Sequence, residues 1–109
     1  MIILKSGPRE ARVEEGLRLS AAMLGMDEPP GMVFLDNGVE CLLSRAFNDP
    51  VTLEYLRVAA DLAGVHALSE SLGERGITTE ELDPVLRVEL LDVDDLAEMT
   101  KEYRSVVAF

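Results

Sequence analysis

Short apolar runs alternate along this chain with longer stretches in which apolar residues recur every three or four positions. Met1-Ile2-Ile3-Leu4 is the first run. A continuous apolar run of this length fits a strand buried on both faces, as in a parallel sheet. Ser6-Gly7-Pro8 ends it. Val13, Leu17, Ala21 and Leu24 then share one helical face, with Glu14, Glu15 and Arg18 elsewhere on the wheel. That spacing predicts a helix over 10–25, weakened slightly by Gly16. Glu28-Pro29-Pro30-Gly31 breaks the chain before the second run, Met32-Val33-Phe34-Leu35. Asp36-Asn37-Gly38 stops that run and opens a short helix through Leu43.

Asp49-Pro50 is a helix start, with Asp at the N-cap and Pro at the first helical position. Leu53, Leu56, Ala60 and Ala63 mark the apolar face that follows. Gly64 leads into a third strand, Val65-His66-Ala67-Leu68. Ser69 is the candidate cap of a short helix through Arg75, with Gly76 at its C′ position. Ile77 to Glu81 predicts a helical turn before Pro84, and Val85 to Leu91 a fourth strand. Asp92 begins another helix, with Leu96, Met99 and Tyr103 on one side and acids at the positive end of its dipole. Ser105 to Phe109 is the fifth strand. The order β-α-β-α-α-β-α-β-α-β predicts an α/β fold, a parallel sheet with helices on both faces. The chain shows no repeat, low-complexity tract or linker, and 109 residues make one domain spanning 1–109.

Composition narrows the function classes. Acidic residues outnumber basic ones 21 to 10, for a formal charge of −11. Nucleic-acid binding needs a Lys/Arg surface to neutralise phosphates, so no nucleic-acid partner is expected. An anionic lipid surface is disfavoured for the same reason. No apolar run approaches the ~18–20 residues of a membrane span, and no stretch reads as a signal peptide. With a single cysteine there is no internal disulfide, and the cytoplasm is the expected compartment. One His and one Cys cannot assemble a zinc set, so neither a metal nor a cofactor is expected.

In an open parallel sheet, ligands bind beyond the carboxyl ends of the strands. That rule selects Lys5-Ser6-Gly7-Pro8, Asp36-Asn37-Gly38, Leu68-Ser69-Glu70-Ser71 and Asp92-Val93-Asp94. None is a Walker or dinucleotide loop. The first two read as ordinary turns, the second also as a polar floor beside a helix start. The candidate ligand-binding set is Ser6, Asp36, Asn37, Ser69 and Glu70. His66, the only imidazole, reads as a core or interface residue rather than a general base, since no nucleophile shares its face. Cys41 reads as a small packed residue. An early helical position would favour its thiolate and the adjacent Glu40 would oppose it. Glu80 to Glu98 carries eight acids against Arg87 alone, a solvated face, with a docking face for a basic partner or a weak divalent site as the alternatives.

Four segments, in order, resemble the DsrE/DsrF family of small sulfur-relay proteins, most closely its DsrF/TusC type. They are Asp36-Asn37-Gly38-Val39, Ser71-Leu72-Gly73-Glu74-Arg75-Gly76-Ile77, the Val85–Leu91 run, and Tyr103-Arg104-Ser105-Val106-Val107-Ala108-Phe109. The resemblance covers nearly the whole chain. It implies a three-layer α/β fold with a five-stranded parallel sheet, a cytoplasmic location, and assembly into dimers, trimers or hexamers. Active members carry a persulfide on a cysteine at the end of the third strand, eight residues before the Gly of the R-G motif. That position here is Leu68, which has no sulfur to carry. The expectation is therefore a non-catalytic binding or structural subunit of a homo-oligomer, with a sulfur-handling protein as partner. Sulfur transfer through Cys41 is one alternative, and a small-ligand binder unrelated to sulfur is another.

Overall fold

The computed structural model describes residues 1–23 and 31–109. The expected end of the first helix, Leu24-Gly25, and the Glu28-Pro29-Pro30 break lie outside the described residues. Five strands form one sheet: β1 (Ile2–Leu4), β2 (Met32–Phe34), β3 (Val65–Leu68), β4 (Glu89–Leu91) and β5 (Val107–Ala108). Their spatial order is β4-β3-β2-β1-β5, and every neighbouring pair is parallel. Parallel strands require crossovers, supplied here by α1 (Ala11–Met23), α2 (Pro50–Ala63), α3 (Ser69–Glu74) and α4 (Val93–Thr100).

Register divides the side chains into two faces. Ile2, Met32 and Val65 align across the sheet, as do Leu4, Phe34 and Ala67. All six are buried in one cluster with Val13 and Leu17 of α1, Leu56 and Ala59 of α2, and Leu72 of α3. Each large aliphatic or aromatic side chain fully buried there contributes roughly 1.5–3 kcal/mol against exposure. Ile3, Val33, His66 and Glu89 align on the opposite face. α4 and the turn after it lie on that face, where Met99 of α4 and Tyr103 beyond its end reach Gly31. A Cβ at Gly31 would lie 2.6 Å from the Tyr103 hydroxyl and 2.9 Å from the Met99 terminal methyl, so those side-chain ends would have to move aside for it. The result is three layers.

Local chemistry sets the element ends. The Asp49 carboxylate accepts from the Val51 N–H at 3.0 Å and the Thr52 hydroxyl at 2.9 Å, with Pro50 following. Asp92 and Asp95 form a reciprocal capping box at the start of α4. Gly76, past α3, takes φ +63°.

Three expectations need correction. Val85 and Leu86 belong to a 3-10 turn (Pro84–Leu86) rather than to the fourth strand, because Asp83 caps it through the Val85 N–H at 3.1 Å. The strand starts only at Glu89, after Arg87 at φ +50°. The buried face of α2 is Thr52, Leu56 and Ala59, displaced by one position from the expected stripe except at Leu56. Ser69 does not cap α3; Leu68 is the N-cap, and the Ser69 hydroxyl donates to the Leu91 carbonyl at 3.0 Å.

Candidate functional site

The carboxyl ends of the strands converge on one edge of the sheet, where three loops are stitched together. After β2 the chain enters a 3-10 segment (Asp36–Leu42), beginning with Asp36 at φ +51°. The Asp36 N–H donates to Ser71 Oγ at 2.9 Å, tying this segment to α3. Arg75 of α3 adds a bond to Asn37 Oδ1 at 2.9 Å. Gly38 sits directly on the end of β1, where any Cβ would overlap the Leu4 carbonyl.

The candidate residues Ser6, Asp36, Asn37, Ser69 and Glu70 all lie on this edge. Ser6 accepts from the Cys41 thiol through its carbonyl at 3.5 Å. Asp36, Asn37, Ser69 and Glu70 are exposed. Ser69 and Glu70 stand at the β3–β4 crevice. There the helix after β3 packs on one face and the helix after β4 on the other. Leu68 sits at that crevice, half-buried and in register with Leu91.

A cleft with a volume of about 590 Å³ lies on the other side of the 3-10 segment. Of the five candidates, Asn37 lines it. Its other polar walls are Glu10 and Glu40, with Arg9 and Arg45. Sequence reading stopped the first loop at Pro8, so Arg9 and Glu10 were missed. The first turn of a helix following a strand end was the available signal. Glu10 is held in place by the Gly7 N–H, which donates to its Oε2 at 2.6 Å.

Cys41 lies beneath this edge, 1 % exposed. Burial, then the Glu40 and Glu10 carboxylates, push its thiol up to about 12. It is therefore protonated at neutral pH, the opposite of an activated thiol. His66 is a latch between strands: its Nδ1 lies 3.3 Å from the Met32 carbonyl and its Nε2 3.2 Å from Glu89 Oε2. Among the described residues, neither ring nitrogen of His66 meets a nucleophile, and Ser69 donates to the Leu91 carbonyl instead. Of the eight acids between Glu80 and Glu98, Asp83 is buried and pairs with Arg57 at 3.4 Å, while the other seven are exposed. Among the described residues, no group of three or more His, Cys, Asp or Glu is arranged to hold a metal ion. No described helix is long and apolar enough to cross a membrane.

The model of the DsrE/DsrF-like family matches residues 1–109. The solved structure of the ychN protein from E. coli superposes with a TM-score of 0.77 at 20 % identity, covering 99 % of this chain and 97 % of that one. At that identity the likeness shows the fold. No curated protein matches the sequence.

Proposed function

Because the chain belongs to the DsrE/DsrF-like family, we propose that it serves sulfur relay as a non-catalytic binding or structural subunit of a homo-oligomer, rather than as a sulfur carrier. The observation that carries this reading is the state of its one thiol. A carrier needs an accessible thiolate, and Cys41 is buried, protonated and faced by two carboxylates. The strand end that the resemblance assigns to the relay cysteine holds Leu68, which makes that spot of the β3–β4 crevice apolar.

Assembly is supported by exposed apolar surface. Val51, Val58 and Leu62 are exposed on α2, and Val106 and Val107 on and beside the edge strand β5. A strand edge with exposed valines favours cover by another chain. The partner beyond the homo-oligomer is a sulfur-handling protein, and the compartment is the cytoplasm. Ligand contacts on this edge fall to Ser6, Asp36, Asn37, Ser69 and Glu70.

Intact mass after treatment with a persulfide donor tests the reading directly. The expected result is no sulfane adduct on the native protein; an adduct on native Cys41, lost in Cys41→Ser, would overturn it in favour of sulfur transfer. Light scattering at micromolar concentration should give a mass at least twice the chain's 11.9 kDa. A stable monomer would refute the subunit assignment. Asn37→Ala should weaken thermal-shift responses to ligands that bind this edge.

A further inference from the structure

β4 is an outer strand of the sheet, and its rim is open. Glu89, Leu90 and Leu91 pair with β3 on one side, and no strand lies on the other. The Ser69 hydroxyl, just past the end of β3, donates to the Leu91 carbonyl, so Leu91 turns its backbone groups toward β3. Alternate residues of a parallel strand bond to the same neighbour. Glu89 therefore also faces β3, and Leu90 turns its N–H and C=O outward. Among the described residues, no backbone group outside the sheet ladder meets the Leu90 N–H or C=O.

The two faces beside this rim differ in chemistry. Leu90 aligns with Ala67 on the face of the main core. There a groove of about 240 Å³ runs along the strand, walled by Leu82, Pro84, Val88 and Leu90. That is room for a side chain rather than the ~300–1,000 Å³ of a small-molecule site. Leu90 is 44 % exposed, and Arg87 in the same wall disfavours a cation. Glu89 stands on the opposite face, exposed and touching His66 through Oε2. Asp92 and Asp94 follow it, exposed as well. An unpaired donor and acceptor on a strand rim suit another strand. A second copy's β4 would bring Glu89, Asp92 and Asp94 against the same acids, on chains of charge −11 each. Like charges across paired strands are destabilising, so the acids reject that occupant and favour a basic one.

We propose that β4 docks an extended segment of a partner protein in which basic and apolar residues alternate. The segment adds a strand to the sheet, and its backbone bonds the Leu90 N–H and C=O. One apolar side chain fills the groove beside Leu90. The Lys or Arg next to it in sequence points to the other face, where Glu89, Asp92 and Asp94 stand. This rests on the binding-subunit reading and gives that subunit a partner-facing edge.

Fluorescence anisotropy of a labelled, end-capped peptide of alternating lysine and valine tests it on the oligomer as purified. The controls are alternating glutamate and valine, the lysines and valines in two blocks, and the alternating lysine peptide with every backbone nitrogen methylated. The alternating lysine peptide should bind at least about tenfold more tightly than each control, the margin expected from losing backbone pairing or charge match. It should also slow amide exchange at Leu90 and leave Val33 unchanged. Leu90→Pro removes the outward N–H and spares the β3 ladder, as edge strands tolerate, and should weaken binding at least about tenfold. Glu89→Gln should weaken it about threefold at low salt and less at high salt. If circular dichroism shows that Leu90→Pro does not fold, the methylated peptide tests the same bonds on the wild-type chain. The assignment is overturned if no peptide binds, if any control binds as tightly, or if Leu90 exchange does not change on binding. A Leu90 amide already protected in the oligomer without peptide also overturns it, because a second copy then covers the edge. If the peptides fail while the protein stays oligomeric and its thiol inert, the docking edge falls and the subunit reading stands. A monomer that takes up sulfane sulfur removes the subunit reading, and the titrations still decide the edge.

Discussion

Native Cys41 should react with iodoacetamide at least about 30-fold more slowly than the same thiol in the unfolded chain, and the figure follows from opposing terms. The fold raises the thiol from 9.0 to about 12. At pH 7.5 the thiolate fraction then falls from about 3 % to about 0.003 %, a factor of about 1,000. A more basic thiolate is intrinsically more nucleophilic, and with a Brønsted slope of ~0.4–0.5 the same shift returns a factor of about 16–32. Ionisation wins, leaving a net slowing of about 30- to 60-fold. Steric burial slows the reaction further, since Cys41 is 1 % exposed. Reaction through global unfolding does not undercut this, because a stability of even ~5 kcal/mol populates the open chain at only about 2 × 10⁻⁴.

The assay is mass spectrometry of timed aliquots at pH 7.5, in buffer and in 6 M guanidinium chloride (about enough to unfold an ordinary domain). Glu40→Gln removes the second cause of the shift. It should raise the native rate and leave the unfolded rate unchanged. A native rate within threefold of the unfolded one would refute the account of Cys41, and with it the main support for a non-carrier. An unchanged native rate in Glu40→Gln would refute the electrostatic part alone.

The same shift has a thermodynamic consequence. A thiol held protonated by the fold contributes stability that is full below the unfolded value of 9.0 and is lost as pH rises toward about 12. In urea titrations the wild type should therefore lose about 1.4 kcal/mol more between pH 8 and pH 10 than Cys41→Ala does. Leu56→Ala empties a fully buried site between α2 and the sheet, and should cost about 2–5 kcal/mol in urea with the slope unchanged. Asp49→Ala removes the cap that holds Val51 N–H and the Thr52 hydroxyl; the expected loss of about 1 kcal/mol is read from the same titrations. Gly38→Ala drives a methyl into the Leu4 carbonyl, so the 3-10 segment must shift, and the measured loss should exceed that of Asp49→Ala.

How much of this fold was legible is clearest where one signal occurs twice. Asp49-Pro50 announces α2, and the structure places the cap and the proline as expected. Asp83-Pro84 is the same dipeptide doing the same work for a 3-10 turn. There the apolar run Val85 to Leu91 outweighs it on the page, because a strand run and a short turn followed by a shorter strand have the same composition. The displaced face of α2 has a related cause. Thr52 hides its hydroxyl on Asp49 and so can be buried, which a count of apolar residues alone does not reveal. Short strands at 2–4, 32–34 and 65–68 were legible, since burial on both faces leaves an unbroken apolar run.

The candidate site was legible as an edge and not as a constellation. Glu10 and Glu40 are 30 positions apart, and they meet because the parallel pairing of Leu4 with Phe34 brings the ends of β1 and β2 side by side. Strand order selects which loops are neighbours, whereas only the path of each loop decides which side chains turn inward. Cys41 makes the point most sharply. From sequence, a helix start and a neighbouring carboxylate pulled its thiol in opposite directions. The 3-10 segment runs from Asp36 to Leu42, so Cys41 stands next to its end rather than at its N-terminus. The favourable half of the balance shrinks to a hydrogen bond from its own backbone N–H, the smallest of the influences on the thiol. The unfavourable half is doubled, because Glu10 arrives from the first loop to join Glu40. The acids that line the cleft are thus the groups that keep the thiol beneath it neutral, and a chain that used Cys41 as a sulfur carrier would have to give up that cleft.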